Sequence, residues 1–171
     1  MALLLDKVGT TANSKGESAS SLFEAPLQTK AIIAVSTTAL IIKLSEFLET
    51  SSPFSSSEMN LFVITAAALT QWGLLDGTVT SLITALVVSI GGPLSELPFV
   101  AAGFWQYLPQ ASDYFPLKDL DWDILNKLLG DDYQDLALSS ITGPCYFAVT
   151  MDAIALGRWF DADGDTDDST I

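Results

Sequence analysis

The chain has 171 residues, 49% of them hydrophobic and only 16% charged, with a net charge of -14. Soluble chains carry about 25% charged residues, and an excess of acid disfavours nucleic acid and anionic lipid surfaces. Histidine is absent and Cys145 is the single cysteine, which excludes Ser–His–Asp catalysis, an intrachain disulfide and the commonest metal and haem ligand.

Residues 1–28 read as a polar N-terminal extension. Its opening MALLLDKVG has too short an apolar run, with Asp6 too early, for a signal-peptide core. Residues 9–21 are rich in Ser, Thr and Gly but contain Glu17, unlike an Arg-rich transit peptide.

A first apolar span is expected from Thr29 to Phe47, with Lys43 able to snorkel to an interface. The alternative for this stretch is an amphipathic helix lying on a surface. The following SSPFSSSE reads as a loop, and Ser55–Glu58 fits a capping box.

From Met59 to Ser112 there are two carboxylates, Asp76 and Glu96, and no Lys or Arg. No helix cut from that stretch has a polar face, so a bilayer is its expected solvent. The second span is Met59 to Leu75, near the lower length limit, with Ala66–Ala68 and Gly73 offering close helix contact. Asp76–Gly77 is a turn signal, so the third span should follow as an antiparallel neighbour. That span runs from Thr78 to Leu108, long enough to exceed the hydrocarbon core, and Gly91, Gly92, Pro93 and Pro98 should kink or break it. Phe104, Trp105 and Tyr107 then form an interfacial aromatic belt.

Residues 109–135 are acidic, with Leu120, Ile124, Leu125, Leu128 and Leu129 at helical spacing, and read as a short interfacial helix that includes Trp122. The fourth span is Leu136 to Phe160, interrupted by Gly143–Pro144 and closed by Arg158 and Trp159 as interfacial anchors. Residues 161–171 are a solvated acidic tail. Asp161, Asp163, Asp165 and Asp167 alternate as calcium ligands do, but Thr166 stands where an EF-hand loop needs Gly, so no metal site is expected. The fold class is therefore all-α. It is a polytopic integral membrane protein of about four transmembrane helices over 29–160, the third long and kinked, plus the interfacial helix. Basic residues divide almost evenly between the two sides, so orientation is not set.

Four polar residues stand out within the apolar stretches. Glu96, in the Pro93–Pro98 segment, is a candidate ligand for a metal-centred pigment or for freed backbone N–H groups, against a hydrated interfacial acid. Asp152 is either a buried carboxylate paired with another helix or an interfacial charge. Gln71 and Gln106 either bridge helices or ligate chlorophyll magnesium through the amide oxygen. Cys145 follows Pro144 in an apolar segment without a base and reads as inert. No P-loop or dinucleotide fingerprint is present, and no enzyme activity is expected.

The stretch from Met59 to Trp159 resembles the Insig family of multi-span proteins. The likeness lies in the tight polar turn after the second span, the Phe104–Trp105–Gln106–Tyr107 run, the Pro144–Cys145–Tyr146–Phe147 segment and the later Gly157–Arg158. The resemblance implies a non-catalytic scaffold with a lipid- or sterol-binding cleft and a membrane-protein partner, in the endoplasmic reticulum or a bacterial inner membrane. The family has six spans, against four here.

Three functions follow as expectations. The first is an accessory subunit of a larger membrane assembly, with a photosystem–antenna supercomplex in the chloroplast thylakoid as one host. Chlorophyll, carotenoid or lipid would then lie between helices, and residues 1–25 and 161–171 would be tied down by partners. The second is an Insig-like lipid or sterol regulator. The third is a small ion-coupled transporter using Glu96 and Asp152. Integral membrane proteins and lipids are the expected partners; nucleic acid is not.

Overall fold

The computed structural model describes residues 24–51, 56–107 and 138–167. Its regular elements are four α-helices: α1 (Leu27–Ser51), α2 (Ser57–Leu75), α3 (Val79–Ala101) and α4 (Thr142–Asp167). The expected interfacial helix with Trp122, most of the N-terminal extension and residues 168–171 lie outside the described residues.

Local chemistry sets the helix ends. Ser56, rather than Ser55, caps α2: its backbone is extended and its hydroxyl accepts from the Met59 N–H at 3.3 Å. At the other end the N–H groups of Asp76 and Gly77 both donate to the Trp72 carbonyl, at 2.9 and 2.8 Å. Gly77 has φ 69°, the left-handed conformation glycine takes without steric cost. Thr78 caps α3 by accepting from the Ser81 N–H at 3.3 Å.

Of the expected kink or break at Gly91–Pro98, the break is not there: α3 is continuous with both prolines inside it. Pro93 removes the N–H that the Ser89 carbonyl would accept. That carbonyl lies against Gly143 of α4, where a Cβ atom would come within 2.9 Å. A packed neighbour thus takes up the surface that proline frees, as transmembrane helices allow. The helix ends instead at Ala101, before Gly103 with φ 73°. Phe104 to Tyr107 follow α3 rather than extending it to Leu108.

Gly143–Pro144 begins α4 instead of interrupting it, because the missing proline N–H is harmless in a first turn. At its other end α4 runs through Asp161 to Asp167, so the first part of the acidic tail continues the helix. Asp161 is exposed.

The second correction concerns packing. α4 packs against all three other helices, whereas α2 and α3 do not pack side by side despite their short turn. Glycine decides this. Gly92 of α3 presents a bare backbone to the Tyr146 ring of α4, and a Cβ there would lie 2.6 Å from the ring. Gly73 of α2, expected to make such a contact, has no atom within 4 Å of a Cβ. The shared core joins Ile41, Ile64, Ala68, Ala85, Ile141, Phe147, Ala148, Met151 and Ile154.

Burial is inverted relative to a soluble bundle. The inward stripe of α1 is Ala31, Ala34, Thr38, Ile41 and Ser45, at three- and four-residue spacing. Its outward face carries Ile32, Val35, Leu40, Ile42 and Phe47. In α2 the inward residues include Asn60 and Gln71, and the outward ones Leu61, Phe62 and Leu69. In α3 Ser81 and Ala85 face in while Ile83, Leu86, Val87 and Ile90 face out. Small and polar residues thus share the interior with Ile41, Ile64, Phe147, Met151 and Ile154, while large apolar residues also cover the outside, as on helices packed in lipid.

Two helices, α1 and α3, are long and apolar enough to cross a membrane. At 25 and 23 residues they reach about 38 and 34 Å, against a hydrocarbon core of about 30 Å. Their most apolar windows are only 28% and 22% buried, unlike the core helix of a soluble protein. α2, with 19 residues, and α4, with Asp152 and Arg158, do not reach that level of length and apolarity. Of the four expected spans, two therefore qualify on these grounds.

Candidate functional site

Polar side chains meet at three levels along α4, set by Tyr146, Asp152 and Arg158. Each step of six residues rises about 9 Å and turns the side chain to a different neighbour.

The first level joins α3, α4 and the segment after α3. Glu96 accepts from the Tyr146 hydroxyl at 2.8 Å through Oε1 and from the Tyr107 hydroxyl through Oε2. The Thr142 hydroxyl reaches the Tyr107 oxygen at 3.3 Å. Glu96 thus faces protein, and the tyrosines occupy both its oxygens. Burial, with the bond to Glu96, pushes the Tyr107 hydroxyl well above its usual pKa. Nearby, Ser139 donates to Glu49 at 2.7 Å and fastens the end of α1 to the approach to α4.

The second level is interior. Gln71 Nε2 donates to Thr38 Oγ1 at 2.8 Å, and the Thr38 hydroxyl donates on to Asp152 Oδ1 at 2.7 Å. The same amide group donates to the Ala34 carbonyl at 3.1 Å and lies 3.0 Å from Thr37 Oγ1. Three helices are cross-linked by this chain of neutral donors. Gln71 is 4% exposed. Asp152, half-buried, pairs with a hydroxyl and an amide of neighbouring helices, and its own helix continues past it to Asp167.

The third level closes the α2–α3 turn. Asp76, 5% exposed, accepts from the Thr78 hydroxyl at 2.7 Å, from the Thr78 N–H at 3.3 Å and from the Ser81 hydroxyl. Its other oxygen pairs with Arg158 Nη1. Trp72 Nε1 donates to Ser81 Oγ and to the Thr78 carbonyl, both at 3.1 Å. Arg158 is therefore an interhelical tie, and not simply an interfacial anchor.

Beside this turn lies a pocket of about 100 Å³ lined by Leu27, Lys30, Leu75, Asp76, Thr78, Met151, Ile154, Ala155 and Arg158. Pockets for whole small molecules usually span about 300–1,000 Å³.

The remaining expected residues stay apart. Gln106 is exposed beyond the end of α3. Trp105 stacks on Phe99 with centroids 5.4 Å apart, and Trp159 on Phe160 at 5.0 Å. Trp122 falls outside the described residues. Thr37, Thr38, Tyr146, Asp76 and Lys30 were not singled out from sequence. Thr38 had a signal, since it continues the Ala31–Ala34 stripe by helical spacing.

Comparison of the chain with protein-family models, with curated protein sequences and with solved structures finds no match.

Proposed function

We propose that the chain is a non-catalytic, four-span scaffold subunit of a larger membrane assembly. One observation carries the reading: large apolar side chains point outward on α1, α2 and α3, while Glu96, Asp152, Asp76 and the Gln71 amide nitrogen bond to neighbouring segments of the bundle. Leu40, Phe62, Val87 and Ile90 are each at least 60% exposed. Surface of that kind is stable only against lipid or another apolar protein face. α2 and α4, less apolar by themselves, enter the bilayer in the company of α1 and α3, with Asp152 and Arg158 satisfied inside the bundle.

Glu96, Asp152 and Gln71 act in this reading as helix cross-links rather than ligands, and pigment or lipid acyl chains lie along the outer apolar faces. One host for such a subunit is a photosystem–antenna supercomplex, where an acidic subunit would bridge a core and its antenna. The test is mild-detergent extraction of tagged chain from native membranes, followed by native electrophoresis and mass spectrometry. A discrete complex of fixed stoichiometry supports the subunit. A lone chain that gains and loses lipid reversibly supports the second reading, an Insig-like lipid-binding regulator, whose lipid would reach the small pocket beside Arg158.

A further inference from the structure

We infer that the pocket between α1, α4 and the α2–α3 turn binds the phosphate headgroup of an anionic phospholipid. The inference rests on the membrane-embedded reading above.

Only three cationic residues occur among the described residues: Lys30, Lys43 and Arg158. Lys43 pairs with Glu46 at 2.7 Å on the exposed face of α1. The other two line one pocket, although they are far apart in sequence and on different helices. Asp76 is the one acid in that lining, so its ionisable groups sum to +1 (Lys30 and Arg158 against Asp76). Two cations lining one pocket stand out in a chain of net charge -14.

The walls fit the rest of a lipid. Leu75, Met151, Ile154 and Ala155 form the apolar side of the pocket, next to Leu27. Lys30 lies three residues into α1, at the end of the bundle where the α2–α3 turn also sits. That end is the depth of a headgroup, with acyl chains running down the outward faces of α1 and α4. The volume of about 100 Å³ suits a phosphate group and not a whole sterol. Basic pockets between transmembrane helices bind phosphate headgroups in this manner. A guanidinium and an ammonium together supply a fork of donors and a movable point charge. The rest of the chain repels anionic surfaces, so any anionic selectivity must come from this site.

The test uses the full chain in detergent, incubated with an equimolar mixture of phosphatidylglycerol and phosphatidylcholine and read by native mass spectrometry. Wild type should retain phosphatidylglycerol in preference. Lys30→Gln should reduce that preference about five-fold, the effect of one basic residue at a headgroup. Lys30→Arg should restore it, and both variants should keep the wild-type circular dichroism. Inorganic phosphate at millimolar concentration should not displace the lipid. Equal retention of the two lipids by wild type, or the same preference in Lys30→Gln, overturns the inference. Displacement by inorganic phosphate overturns the lipid as its source. Failure of the membrane reading looks different: the chain would leave the membrane in alkaline carbonate and retain neither lipid.

Discussion

Gly91 and Gly92 are adjacent in α3, yet replacing each by alanine should move stability in opposite directions. Both substitutions reduce backbone freedom in the unfolded chain and raise helix propensity, a gain of about 0.5–1 kcal/mol. A Cβ at Gly91 meets nothing within 4 Å. A Cβ at Gly92 would lie 2.6–2.9 Å from three atoms at the base of the Tyr146 ring. The ring is not free to swing away, because its hydroxyl bonds Glu96 at 2.8 Å. Either α3 and α4 separate or that bond breaks, and overpacking of this kind costs about 1–3 kcal/mol. The gain is common to both, so the two variants should differ by the overpacking cost, about 1–3 kcal/mol. At about 2–4 °C per kcal/mol for a chain of this size, Gly91→Ala should melt about 2–12 °C above Gly92→Ala. Thermal unfolding in one detergent, followed by circular dichroism, reads the difference. If both alanines raise the melting temperature equally, the close α3–α4 approach at Gly92 is wrong.

Further outcomes follow from the three polar levels. Asp76→Ala leaves Arg158 beside a turn without its carboxylate and should cost about 3–5 kcal/mol; in the Asp76→Ala, Arg158→Met double variant most of the loss should be recovered in the same melt. Gln71→Leu should cost about 1 kcal/mol, the scale of an interhelical hydrogen bond in a membrane protein, and denaturant titration should show no loss of helix content. Glu96→Gln should be milder than Glu96→Leu, which strands two tyrosine hydroxyls, as judged by the same titration. Tyr107 is held above its usual pKa, so the folded state keeps its proton after the unfolded chain has released it. Its contribution is fully present below about pH 10 and is lost as pH rises from there, and Tyr107→Phe should flatten the stability profile above about pH 10.

Much of the fold was legible because its strongest signals are local. The three long apolar stretches before residue 108 gave the existence and type of α1, α2 and α3, and Asp76–Gly77 gave the turn. What failed were inferences that treated each helix as alone. Gly91, Gly92, Pro93 and Pro98 predicted a kink or a break, and the helix runs through them unbroken because Gly143 of α4 lies against the carbonyl that Pro93 frees. The short α2–α3 turn looked like a packed hairpin, but Gly92 and Gly143 draw α3 to α4 instead. Glu96 and Gln71 were visible as polar residues in apolar surroundings, while their partners Tyr146 and Thr38 were not. A tyrosine or threonine in a helix is unremarkable until tertiary packing brings a carboxylate to it. Asp76 was hidden for the opposite reason, since its turn role explained it completely and Arg158 lies 82 positions away (158 − 76).

The central claim is that the large apolar faces meet lipid or an apolar partner and the polar stripes meet each other. Nitroxide labels introduced singly in a Cys145→Ser background test it most directly, with the protein in liposomes. Labels at Leu40, Phe62, Ile83 and Val87 should be relaxed strongly by molecular oxygen and weakly by a water-soluble nickel chelate. A packed partner would lower both without raising the nickel signal. Nickel access at those four sites equal to that of a label in water would contradict the account.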